Sequence, residues 1–215
     1  MFLKLTRRRA YAGEEAIQSV AEVSAPEGYQ SPALKRVLGR IGRSDGFCVL
    51  DLGVLTGEML TAFAQAGARV HVHDLVSVFA GSPGDEARDV ARLMAAVRVP
   101  PGGVDLVCVW ELFDLVTPEE AGLVLAGIER WLAPKAWLLA VFNVAEVDRL
   151  HRFRPSDEGL IAPEVVAPVS PPRGAVTNSQ VVSLLSDYRL LNSALLRGGF
   201  REVLAQYLGR SASEG

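Results

Sequence analysis

The stretch VLDLGVLTGEML, residues 49–60, decides how this chain is read. It begins as an apolar, strand-like run, breaks over Gly53 to Gly57, and from Glu58 becomes a helix-period run that ends at Gly67. A strand that feeds a glycine-marked turn and then a helix aims backbone N–H groups and a helix N-terminus at a ligand.

Outward from that stretch the same alternation continues. ARVHVHDL (68–75) reads as a second strand, followed by the Gly-, Ser- and Pro-rich loop VFAGSPGDE. EARDVARLMAAV, from Glu86, has the helical period, and VDLVCVW (104–110) is apolar almost throughout, as in a strand buried on both faces. Thr117, Pro118, Glu119 and Glu120 form a helix start, with a cap, a proline in the first turn and acids at the positive dipole end. That helix runs to Leu132, and AWLLAVF (136–142) is a further central strand. No strand is identifiable between Leu75 and Pro100. Strands alternating with helices at this spacing imply right-handed crossovers and a mainly parallel sheet, an α/β fold.

The C-terminal part changes style. Thr177 and Asn178 cap a helix in SQVVSLLSDY, after which RLLNSALLR and FREVLAQYL flank Gly198-Gly199. Two β-type runs around a Gly-Gly turn predict an antiparallel hairpin. Residues 143–176 hold five prolines (Pro155, Pro163, Pro168, Pro171, Pro172) and no clean period, and are expected to form a long connector. Two helix-like pieces, 10–23 and 31–41, precede the sheet. The expected organisation is an N-terminal helical arm, 1–45, and an α/β domain, 46–215.

Composition narrows the function. The 215 residues are 49% hydrophobic and 22% charged, ordinary for a globular protein, and a net charge of −3 argues against a generic nucleic-acid binder. Residues 1–43 nevertheless carry eight basic side chains (Lys4, Arg7, Arg8, Arg9, Lys35, Arg36, Arg40, Arg43) against four acidic ones (Glu14, Glu15, Glu22, Glu27), a face able to meet an acidic protein partner or simply a solvated helix surface. No apolar run is long enough to span a membrane as a helix, and MFLKLTRRRAY places its basic run after a short apolar stretch, the reverse of a secretory signal. Cys48 and Cys108 sit inside apolar runs without metal-ligand spacing, as small buried hydrophobes of a cytoplasmic protein would. His71 and His73 share one strand face but lack an assured third ligand, so no metal is expected.

Asp51, Leu52, Gly53 and Gly57, with the closing hairpin, resemble the class I S-adenosylmethionine-dependent methyltransferases. In that family the first strand ends in a pattern like (D/E)-L-G-x-G-x-G, and the sheet is seven-stranded with an antiparallel final strand. The resemblance covers about residues 46–142 and 177–208. It implies a Rossmann-like fold with S-adenosylmethionine as cofactor. Asp51 and the Gly53–Gly57 turn would hold the methionine end, Asp74 the ribose hydroxyls, and Trp110 and Glu111 the adenine and methyl region. Leu55 stands where the family has its middle glycine, and its side chain is expected in the path of the methionine moiety. Methyl transfer requires chiefly that an acceptor be aligned and, for some acceptors, deprotonated. Glu111 and Asp114 are the catalytic candidates, against the plainer reading that Glu111 caps a turn or pairs with an arginine. N/D-P-P-Y, the mark of base methylation, is absent, as are the G-x-G-x-x-G of a nicotinamide reductase and the G-x-S-x-G of a serine hydrolase. Two functions remain: a methyltransferase for a small-molecule or protein acceptor, and a catalytically inactive methyltransferase-fold protein that serves as an interaction or scaffold subunit.

Overall fold

The computed structural model describes residues 28–80, 89–155 and 160–209, apart from the side chain of Pro172. In chain order the elements are β1 (Tyr29–Gln30), α1 (Pro32–Ile41), β2 (Cys48–Asp51), α2 (Gly57–Gln65), β3 (Arg69–Val72), α3 (Leu75–Ala80), α4 (Val90–Ala96), β4 (Val104–Trp110), a 3-10 turn (Leu112–Asp114), α5 (Pro118–Glu129), β5 (Leu132–Asn143), β6 (Val147–Pro155), β7 (Leu160–Arg173), α6 (Asn178–Leu184), β8 (Tyr188–Leu196) and β9 (Phe200–Tyr207).

The main sheet has the order β3-β2-β4-β5-β9-β8. β3, β2, β4 and β5 run parallel, while β9 is antiparallel to both β5 and β8. The hairpin read from Gly198-Gly199 is present, and both glycines adopt positive φ (85° and 83°), the conformation that a Cβ disfavours. β4 is apolar apart from Asp105 because it lies in the interior of the sheet between β2 and β5. Helix starts follow the predicted chemistry: Thr117 and Thr177 each accept from the backbone three residues on, inside complete capping boxes with Glu120 and Gln180. No strand lies between Val72 and Val104 among the described residues, which leaves a six-stranded main sheet.

One face of this sheet packs side chains of α3, α4, α5 and α6, including Phe79, Met94, Val124 and Val181. The other packs α1, α2 and a second, three-stranded sheet of order β1-β7-β6, through Leu34, Phe63, Phe153 and Ile161.

That second sheet corrects the reading of 143–176 as a connector. Residues 147–155 and 160–173 pair antiparallel along most of their length, with register shifts near Arg149 and His151. Residues 29–41 are likewise part of the domain rather than a separate arm: β1 pairs with β7, and Ala33, Leu34 and Val37 on α1 are fully buried. The helix expected over 10–23 lies outside the described residues. α1 is anchored by a buried acid, Glu202 on β9, which accepts from the Ala33 N–H (2.9 Å) and from the Ser31 hydroxyl, while Ser31 caps Leu34. Two of its three basic side chains are engaged as well. Arg36 donates to the Leu191 carbonyl, and the Arg40 guanidinium lies 4.1 Å from the Trp137 ring centroid. No described helix is long and apolar enough to cross a membrane.

Candidate functional site

In an open parallel sheet, ligands bind outside the carboxyl ends of the strands, where the strand order reverses. Here that point falls between β2 and β4, and the residues facing it are Asp51 and Trp110.

Asp51 closes β2 and is buried, 4% exposed. Its Oδ1 accepts from the Gly53 N–H at 2.9 Å and from the Trp110 indole N–H at 2.7 Å. Burial pushes its pKa up to about 6, against the pull of those two donors. Trp110 reaches this position from a strained backbone, with φ at +46°. Its indole lies directly on Gly53, so that a Cβ at residue 53 would collide with the ring. The indole also stacks on Phe153 of β6, with centroids 5.2 Å apart and planes at 13°. Between Asp51, Val54, Met59, Trp110 and Phe153 there is no space for even a water molecule. Gly53 is small to make room for the chain's own tryptophan.

Leu55 does not enter this space. Its side chain is 48% exposed, so the group that fills the bay is aromatic and comes from β4 and β6. Gly57 starts α2, capped by the Thr56 side chain, and a Cβ there would meet nothing within 4 Å. Asp74 lies just after β3, and both of its carboxylate oxygens are taken by Ser77, one by the backbone N–H (2.8 Å) and one by the hydroxyl (2.7 Å). It therefore caps α3 (Leu75–Ala80), a helix where the sequence suggests the end of a strand, at Leu75, and the start of a loop, at Val78.

Glu111 and Asp114 do come together, around Asn143. The Asn143 amide donates to Glu111 Oε1 (2.8 Å) and to Asp114 Oδ2 (2.9 Å), and the Asn143 backbone N–H also donates to Asp114 Oδ2 (2.8 Å). Glu111, with no exposed surface, further accepts from the His151 backbone N–H, and His151 Nδ1 lies 2.8 Å from its Oε1. Burial raises the Asp114 pKa to about 7, opposed by the Asn143 donors and reinforced by the nearby Glu111. The network ties the end of β4 and the turn after it to β5 and β6. Among the described residues, Glu111 has neither the arginine partner nor the side-chain turn cap weighed for it. Asn143, His151 and Phe153 carry no motif, and all three fall in the segment read as a connector.

No protein-family model matches the chain. No curated protein matches it either. Among solved structures it is similar to the PH0226 protein from Pyrococcus horikoshii OT3, at a TM-score of 0.52 and 15% identity, over 81% of this chain and 88% of that one. It is also similar to an S-adenosylmethionine-dependent methyltransferase from Mesorhizobium loti, at a TM-score of 0.50 and 17% identity, over 81% of this chain and 96% of that one. Identity this low speaks of fold alone. With four parallel strands, the reversal at β2 and β4 and the closing antiparallel hairpin, that fold is the class I S-adenosylmethionine-dependent methyltransferase fold.

Proposed function

We propose that this chain is a catalytically inactive member of that fold, acting as an interaction or scaffold subunit. The observation that carries the reading is Trp110. Its indole occupies the ground in front of Gly53, spends its N–H on Asp51 and is backed by Phe153, so the residues present do not fit the methionine end of S-adenosylmethionine. The commitment of Asp74 to capping α3 supports the same conclusion at the ribose position. Fold alone does not dictate chemistry, and a shared architecture is compatible with a lost reaction. Glu111 and Asp114 then serve structure, as a buried polar brace between the two sheets. A protein partner remains the expected ligand. With Arg36 and Arg40 engaged against the domain's own surface, an acidic partner would have to use the remaining basic residues of 1–43.

The second reading is a methyltransferase acting on a small-molecule or protein acceptor. It is favoured by the retention of Asp51, Gly53 and Gly57, and it requires Trp110 and Phe153 to leave the bay together. Retention of tritium-labelled S-adenosylmethionine by the folded chain on a filter separates the two. The inactive reading expects none at micromolar ligand; stoichiometric retention establishes the second.

A further inference from the structure

Arginines on β6 find carboxylates: Arg152 pairs with Glu164, and Arg154 with Glu58 and Glu164. The basic residues gathered around Trp137, where α1 meets β5, β9 and β8, are held by neutral groups instead. The Arg40 guanidinium donates to the Lys135 carbonyl (3.4 and 3.5 Å), and the Gln206 amide donates to the same oxygen (3.2 Å). Arg189 donates to the Gln206 side-chain oxygen, and Arg36 to the Leu191 carbonyl (3.2 Å). Arg36 and Arg40 both lie over the Trp137 ring, 5.6 and 4.1 Å from its centroid. Arg43 folds back along α1, its terminal nitrogens 3.7 and 3.8 Å from where a Cβ on Gly39 would stand. Lys35, one residue before Arg36, is exposed, as are Arg43, Lys135 and Arg189.

Among the described residues, none of these cations has a carboxylate at ion-pair distance. Two acids stand near: Asp105, which acts on Arg40 while accepting the Cys48 N–H, and Asp45, exposed in the turn after α1. In a chain of net charge −3, so much positive charge in one place is a local feature. Carbonyl bonds and stacking on a ring fix a guanidinium without cancelling its charge. Like charges held side by side repel, and an arriving anion relieves that repulsion. A guanidinium with one or two of its five N–H groups on carbonyls keeps others for a carboxylate. Nucleic acid fits this surface less well. Single strands are gripped by bases stacking on aromatic faces, whereas Trp137 is 8% exposed with two guanidiniums over it. The negative charge of the whole chain also opposes a polyanion longer than the patch.

We infer that this surface docks an acidic segment of a partner protein, whose Asp and Glu side chains contact Lys35 and Arg43 on the α1 side and Lys135 and Arg189 on the adjoining strands, in the field of the fixed Arg36 and Arg40. The inference rests on the interaction-subunit reading for the partner being a protein. It does not depend on whether the Asp51 bay takes a cofactor, which the filter assay decides separately.

The test uses the full chain and three dye-labelled probes, read by fluorescence anisotropy at about 0.15 M salt, where the Debye length is about 8 Å. The probes are a peptide rich in Asp and Glu, the same peptide with Asn and Gln in their place, and an oligothymidylate of the same charge as the first. Saturable binding of the acidic peptide is expected, with a dissociation constant of roughly 10–100 micromolar and the other two probes at least roughly tenfold weaker. Lys35→Glu combined with Arg43→Glu reverses two exposed charges outside the bonds that seat α1. It is expected to weaken the acidic peptide roughly tenfold or more, with the circular dichroism spectrum unchanged. Arg92→Glu combined with Arg149→Glu, an equal change of net charge at two other exposed sites, is expected to leave binding within roughly twofold of the wild type. No saturable binding of the acidic peptide at millimolar concentration overturns the inference. So does full affinity in the Lys35→Glu, Arg43→Glu variant, and so does oligothymidylate binding as tight as the peptide's, which makes the surface one for nucleic acid.

Discussion

The indole N–H of Trp110 donates a 2.7 Å hydrogen bond to Oδ1 of Asp51, joining the ends of two adjacent parallel strands across the point where a nucleotide-type ligand would enter. The bond gives a buried acid a second donor and fixes the indole over Gly53. Trp110→Phe keeps most of the ring and deletes that donor. The expected cost is about 1–3 kcal/mol, the range for leaving a buried acceptor short of a partner. Urea denaturation with unchanged m-value measures it; a loss near zero means that the bond holds nothing in place.

Leu55→Gly tests which side chain fills the bay. Because Leu55 is 48% exposed, removing it is expected to leave cofactor binding where it was. Calorimetry on the variant checks this, and the appearance of S-adenosylmethionine binding in Leu55→Gly would return the block to that leucine.

How much of this was legible in the sequence follows from what each segment had to signal. β2, β4 and β5 announced themselves because burial on both faces demands largely apolar runs, and the final hairpin did so because only glycine suits φ near 85° at 198 and 199. β6 and β7 did not. β7 carries Pro163, Pro168 and Pro171, which remove ladder donors and read as strand breakers, yet it pairs with β6 across register shifts. With that hairpin went Phe153 and His151, so the aromatic that closes the bay and the imidazole that binds Glu111 had no signal of their own. Trp110 was legible as a site residue but not its direction: nothing in VDLVCVW foretells a tryptophan at positive φ folded back onto Gly53.

Glu202 is a similar case, a charge in an apolar strand whose purpose only the fold reveals. It receives the Ser31 hydroxyl and the Ala33 N–H at the start of α1. Glu202→Ala is expected to destabilise the chain by about 1–3 kcal/mol for each buried donor left without an acceptor, with Glu202→Gln milder. Thermal and urea melts of the two variants give the comparison; equal, negligible losses contradict the anchoring role.

Asp114 sets a pH dependence. Its folded pKa of about 7 lies above the ordinary 3.8, so between those values the folded state holds a proton that the unfolded chain has released. Stability from this group therefore falls as pH rises from about 4 to about 7. The groups that act on it are Asn143, which donates to it, and the nearby Glu111. Asp114→Asn deletes the ionisation and is expected to gain on the wild type progressively across that window. Stability measured at a series of pH values checks the sign, and a wild type that gains on the variant as pH rises contradicts it.

The most direct measurement of the central claim is a calorimetric titration of the wild-type chain with S-adenosylhomocysteine. The packing of Trp110 and Phe153 against Asp51 predicts no heat of binding up to millimolar ligand. A saturating isotherm with a dissociation constant in the micromolar range, about −8 kcal/mol, would contradict it.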